Sequence, residues 1–175
     1  MTNKEVKIIY SEDKFTEFEM KILSEYFYSN DLYVEVKEKN EFVNASIDFF
    51  VPDLEVIFPA VLEGVLVSGA SSLIKESILY IYKTVRSYLK KENKKGNAEN
   101  LNIHFKINDC VFVIPQDIEM SKYTYAVDSF FKAACARHYI EEQYMYYSES
   151  EDEFVLKSQS QIINEKCKEE QYSNE

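Results

Sequence analysis

Residues 101–114 read LNIHFKINDCVFVI, and this stretch decides the fold class. Leu101, Ile103, Phe105 and Ile107 alternate with Asn102, His104 and Lys106, the two-residue period of a half-buried strand. Asn108-Asp109 follows, and both residue types tolerate the left-handed backbone that a tight hairpin requires. Cys110 to Ile114 is apolar at every position, as a strand covered on both faces must be, and Pro115 ends it. The pattern predicts an antiparallel hairpin with its return strand in the middle of a sheet.

Upstream of the hairpin, Glu5 to Tyr10 (EVKIIY) reads as a short strand by its β-branched content. Ser11 is placed to cap a helix over about residues 12–28, on which Phe15, Phe18, Ile22 and Tyr26 recur at helical spacing. Leu32 to Lys39 alternates again, with Leu32, Val34 and Val36 facing one way. The opening is therefore β-α-β, long enough for a parallel pair. Ala45 to Val51 reads as a further strand closed by Pro52-Asp53. Leu54 to Phe58 fits either a strand or the start of a helix, and from Ala60 onward the expectation is helix. Ile74, Ile78, Ile81, Val85 and Tyr88 then form one apolar stripe, edged by Tyr82 and Leu89.

Downstream, a long helix is predicted from about Tyr123 to Tyr146, with Val127, Phe130, Phe131, Ala134 and Cys135 inward. The segment 148–175 holds eight acidic residues against three lysines and carries much of the net charge of −11. It reads as an acidic C-terminal extension of a single α+β domain spanning 1–147, disordered alone or docked as a short helix through Phe154-Val155-Leu156 and Ile162-Ile163. The expected fold is α+β, a small mixed sheet of four to five strands with three main helices largely on one face.

With 175 residues, 46% of them hydrophobic, and 14 Tyr and 12 Phe among them, the chain has ample material for a core. The acidic charge argues against direct binding to a nucleic-acid backbone. Cys110, Cys135 and Cys167 are odd in number and far apart, and the polar start lacks the pattern of a secretory signal, so a reducing cytoplasm is expected. The longest uncharged run, Gly64 to Ile74, has eleven residues, whereas a membrane span needs about 20.

No catalytic, cofactor or metal constellation emerges. Ser68-Gly69-Ala70-Ser71 lacks the preceding glycine of a nucleophile elbow. His104 and His138 are too far apart in pattern to suggest a ligand pair and read as surface or satisfied histidines. Three glycines do not build a phosphate cradle. Two groups of residues point instead to contact with macromolecules. Ala60, Gly64, Ser68 and Ser72, each four apart, form a small-residue strip on one helix face that allows close backbone approach. Tyr139, Tyr144, Tyr146 and Tyr147 crowd the end of the last predicted helix, where a tyrosine's apolar body and polar tip suit an interface. Phe154 and Leu156 complete the candidate partner interface.

VKIIY (6–10), LYVEV (32–36), VLEGVLVSGASSLIKESILYIYKTVRSYLKK (61–91) and LNIHFKINDCVFVI (101–114) occur in an order that resembles the effector-associated constant component family. These are small proteins encoded beside effectors in bacterial conflict and immunity systems. The resemblance covers about residues 5–140 and is one of layout; Ser68-Gly69-Ala70-Ser71-Ser72 stands where that family's central helix is richer in glycine. It implies a non-enzymatic adaptor or regulator in bacterial antiviral defence. Such a protein would work by binding a protein partner, such as an effector encoded nearby, or by forming a homo-oligomer. Two alternatives remain open from the residues alone: a phage-encoded acidic inhibitor of a nucleic-acid-processing enzyme, and a helix that inserts into membrane on activation.

Overall fold

The computed structural model describes residues 5–39, 48–58, 68–91, 101–114, 120–136 and 139–172. Within them the chain runs β1 (Glu5–Tyr10), α1 (Glu17–Tyr28), β2 (Tyr33–Glu38), a 3-10 turn (Asp48–Phe50), β3 (Leu54–Ile57), α2 (Ser68–Lys91), β4 (Ile103–Ile107) and β5 (Cys110–Ile114). It continues through α3 (Met120–Ala136), β6 (Gln143–Ser148), β7 (Glu153–Ser158) and α4 (Gln159–Tyr172). The fold is α+β, with four helices and one seven-stranded mixed sheet of order β2-β1-β3-β4-β5-β6-β7 among the described residues.

The hairpin is as its alternation predicts. β4 and β5 pair antiparallel with Phe105 opposite Phe112, and Asn108 takes the positive φ of 51° that the turn demands. Three parallel pairs, β1–β2, β3–β4 and β5–β6, each have a helix in the connection and alternate with three antiparallel pairs. β3 and β5 run in opposite directions, yet both crossovers step the same way along the sheet with their helices on the same face. The two crossovers are therefore of opposite hand, and one departs from the usual right-handed preference.

The main core lies between one sheet face and three helices. Ile8, Val56, Phe105 and Phe112 meet Leu23 and Phe27 of α1, Ile78 and Ile81 of α2, and Val127 and Phe130 of α3. The predicted stripe of α2 is buried at Ile74, Ile78, Ile81, Tyr82 and Val85; the side chains of Tyr88 and Leu89 lie outside the described ones. Aromatic contacts join the helices across this layer: Tyr26 stacks on Tyr80 at 3.8 Å, and Tyr82 on Tyr123 at 4.2 Å.

Several expectations are corrected. The first helix starts at Glu17, not residue 12, because Thr16 and Glu19 form a capping box that Ser11 does not. The expected strand over 45–51 is a 3-10 turn at Asp48–Phe50, and its first residues lie outside the described ones. Leu54 to Ile57 resolves as a strand. The expected helix from Ala60 falls partly outside the description, which begins at Ser68. The long helix predicted to Tyr146 stops at Ala136, and Gln143–Ser148 is strand β6, parallel to β5. The acidic segment after Ser148 supplies β7 through Phe154-Val155-Leu156, a strand antiparallel to β6 over six residues where a helix or disorder is expected, and then α4, a helix that docks through Ile162 as one of the two readings has it. These two strands, with β3, raise the sheet from the expected four or five strands to seven, and α4 makes a fourth helix.

Candidate functional site

Directly opposed residues of neighbouring strands share a sheet face, so the strand registers place His104 and Lys106 on the face away from the three-helix core. Glu55 on β3, Val111 and Val113 on β5, and Tyr144 on β6 share that second face. Tyr146 follows by the two-residue period. α4 and the 3-10 turn cover this part of the sheet, where Ile162 packs with Val111 and Tyr144, and Phe49, Phe50 and Tyr146 flank them. The rings of Phe49 and Phe50 lie 5.8 Å and 5.0 Å from that of Tyr144, and Lys166 of α4 sits 4.8 Å from the Phe49 ring centre.

Beneath these rings runs a polar row. Lys106 is ion-paired and hydrogen-bonded to Glu142. The Tyr144 hydroxyl donates to the same carboxylate at 2.8 Å. Burial, with the Glu142 carboxylate beside it, drives the Tyr144 hydroxyl above its ordinary range. Burial works to raise Glu142, but its bonds to Lys106 and Tyr144 prevail and hold it below the usual range. Glu55 is raised by burial, partly offset by Lys106. His104, only 2% exposed, has its Nε2 3.0 Å from Asn102 Oδ1. Asn102 uses its amide nitrogen to donate to the carbonyls of Phe49 and Val51, so Oδ1 is left as the acceptor and His104 Nε2 carries the proton. Burial lowers the His104 pKa to about 4, against a bond to Phe49 and the Glu142 charge that favour the charged form, so the ring is neutral at physiological pH.

On this face His104 is thus engaged with Asn102, and Lys106, Glu142 and Tyr144 with one another. Cys110 is buried and its thiol is pushed up to about 12 by desolvation. Among the described residues no group of three or more His, Cys, Asp or Glu side chains converges to hold a metal, and no helix is long and apolar enough to cross a membrane.

The residues singled out in the sequence are dispersed. Ala60 and Gly64 lie outside the described residues, and so does the side chain of Ser68; Ser72 is exposed near the start of α2. Tyr139 precedes β6 and packs against the main core. Tyr144 and Tyr146 come together with Phe49 on the second face, whereas Tyr147 points the other way. Tyr147 contacts Phe154 at 5.5 Å and bonds to Asp152, and Phe154 reaches Phe112 at 5.6 Å. Leu156 stays exposed on the edge strand β7. The tyrosines therefore hold β6 from both sides and form no single patch.

Sequence reasoning missed the outer side of β2. This strand ends the sheet, and no described strand pairs with it beyond β1. Lys39 N–H donates to the Tyr10 carbonyl at 2.7 Å, so by alternation the backbone groups of Val34 and Val36 point away from β1. The Val34 carbonyl accepts from the Tyr28 hydroxyl at 3.3 Å. Tyr33, Tyr28 and Val36 expose 73%, 55% and 39% of their surface along this edge. The only signal in the sequence is a strand pattern whose apolar side includes Val36 yet lies between charged residues.

No protein-family model matches the chain, and no curated protein or solved structure matches it.

Proposed function

We propose that this chain is a non-enzymatic protein–protein interaction component, an adaptor or regulator, of a bacterial defence or conflict system. The observation that carries the interaction reading is the outer edge of β2, which pairs with no described strand beyond β1, with outward-pointing backbone at Val34 and Val36 and exposed Tyr28, Tyr33 and Val36 around it. An uncovered edge strand is a template for pairing with another chain, and adding a strand gives affinity through main-chain hydrogen bonds. The engagement of His104, Lys106 and Cys110 within the fold supports a role other than catalysis. The affiliation to defence systems rests on the order of the sequence segments 6–10, 32–36, 61–91 and 101–114, which resembles the effector-associated constant component family; β3, β6, β7 and α4 are additions to that layout.

The test is capture of partners from the native host by the full chain and by Val36→Pro, with mass measurement of the intact complexes. Proline at Val36 removes an N–H that faces away from β1, so the sheet's own ladder is retained while strand addition is blocked. Loss of the captured protein in the variant, with circular dichroism unchanged, is the expected result. Capture that is equal in both chains, or that collapses steeply with salt as binding to an acidic mimic would, contradicts it.

A further inference from the structure

The charges along β2 name a partner for the edge that no described strand covers. Tyr33-Val34-Glu35-Val36-Lys37-Glu38 carries Glu35 and Lys37 on the same face, on either side of Val36. We infer that β2 pairs antiparallel with β2 of a second copy of this chain, centred on Val36. This rests on the reading of the chain as an interaction module and specifies what it binds.

A two-fold axis perpendicular to a continuous sheet sets some residue opposite its own counterpart. With Val36 at the axis, Glu35 faces Lys37 of the second copy and Lys37 faces Glu35 of the second copy. Val36, whose N–H and C=O point outward, exchanges backbone bonds with its counterpart. Opposite charges directly across a strand pair are stabilising, and like charges are not. The neighbouring centres fail on that ground: residue 35 at the axis sets Glu35 against Glu35, and residue 37 sets Lys37 against Lys37. A centre at Val34 would need Asp31 in the pairing, but Asp31 has φ 58° and lies outside strand geometry.

Glu35 and Lys37 are free to rearrange. Glu35 sits 2.8 Å from Lys37 and 3.6 Å from Lys7 of its own chain, in pairs whose lysines are about half exposed or more (47% and 58%). In the paired form the six charges of two copies make one alternating cluster, and the exposed Tyr33 and Tyr28 flank the joint on its two sides. The opposite edge is less suited. There, Lys157, the charge that Glu153 of another copy would require, is already held by Glu165 at 2.9 Å and by Glu151 at 3.6 Å.

Sedimentation of the full chain over a concentration series is the test. The wild type is expected to be a dimer that dissociates on dilution. Glu35→Lys and Lys37→Glu should each weaken it about tenfold or more, since each replaces two attractions by two repulsions. Mixing the two variants should restore a dimer, because one then presents two lysines to the other's two glutamates. Glu35→Gln, which removes attraction without adding a like charge, should fall between and keeps the test open if Glu35→Lys does not fold. A wild-type monomer, a dimer indifferent to these changes, or folded variants that fail to recover on mixing would overturn the self-pairing. A wild-type monomer that still loses a host partner on Val36→Pro overturns this inference alone. A charge-dependent dimer that captures no host protein leaves the self-pairing standing and removes the adaptor reading.

Discussion

Phe112→Ala is expected to lower the stability of the chain by about 3–5 kcal/mol, the usual cost of truncating a buried aromatic ring. Phe112 is fully buried on β5, near the middle of the sheet. Its ring stacks on Phe130 at 5.3 Å and lies 5.6 Å from both Tyr123 and Phe154. One side chain therefore ties α3, and through Phe154 the last strand, to the hairpin. The cavity left by alanine opens on rigid elements on several sides, which limits collapse and puts the loss toward the upper end. A domain of this size is stable by only about 5–15 kcal/mol, so a large part of the margin disappears. Urea denaturation followed by circular dichroism measures this directly. A loss under about 1 kcal/mol would mean that the C-terminal half is not packed through this residue, since a buried aromatic truncation costs more than that.

The second large effect depends on pH. His104 has a folded pKa of about 4 and would titrate near 6.5 in the unfolded chain. Between these values the unfolded chain binds a proton that the folded one does not. Stability is therefore full above about pH 6.5 and declines as pH falls toward 4, by about 3 kcal/mol in total, with no further loss from this group below that. The cause is chiefly burial under Phe49 and Tyr144, and Lys39 and Lys106 add to it while Glu142 opposes it. Carboxylates contribute their own slopes, Glu142 with a lowered and Glu55 with a raised pKa, so the contribution of His104 is read as a difference. Unfolding free energies of the wild type and His104→Gln at pH 7.5 and pH 5 isolate it. The wild type should lose more than the variant between the two. Equal losses would place His104 in contact with solvent.

Why some of this was legible in the sequence and some not follows from how local each signal is. The β4–β5 hairpin carries its whole specification within residues 101–114: strict alternation, an Asn-Asp turn and an apolar return strand. The buried stripe of α2 repeats at helical spacing and needs no distant partner to be seen. β6 is different. QYMYYS has no polar-apolar alternation because both of its faces are covered, Tyr144 and Tyr146 by α4 and the 3-10 turn, Met145 and Tyr147 on the helix side. Its identity as a strand comes from parallel pairing with Cys110–Phe112, a contact that no local window contains. β7 was obscured by the acids around it, since Glu151, Asp152 and Glu153 suggest a solvated tail while Phe154 reaches the core. His104 reads from the sequence as a surface or satisfied histidine on a half-buried strand; it is buried, and its partner Asn102, two residues away on the same face, carries no signal of its own. A cluster of tyrosines in sequence is split by the strand period onto opposite faces, and the exposed edge at Val36 becomes visible only when the strand order is known.

Residue-resolved amide hydrogen exchange of the full chain, at low and high protein concentration, tests the role of the β2 edge most directly. Glu35 and Lys37, whose N–H groups face β1, should exchange slowly at both concentrations, and Val34 and Val36 should pass from fast to slow as concentration rises. Val34 and Val36 exchanging at one unchanged rate throughout, while protection grows on some other surface, would contradict it.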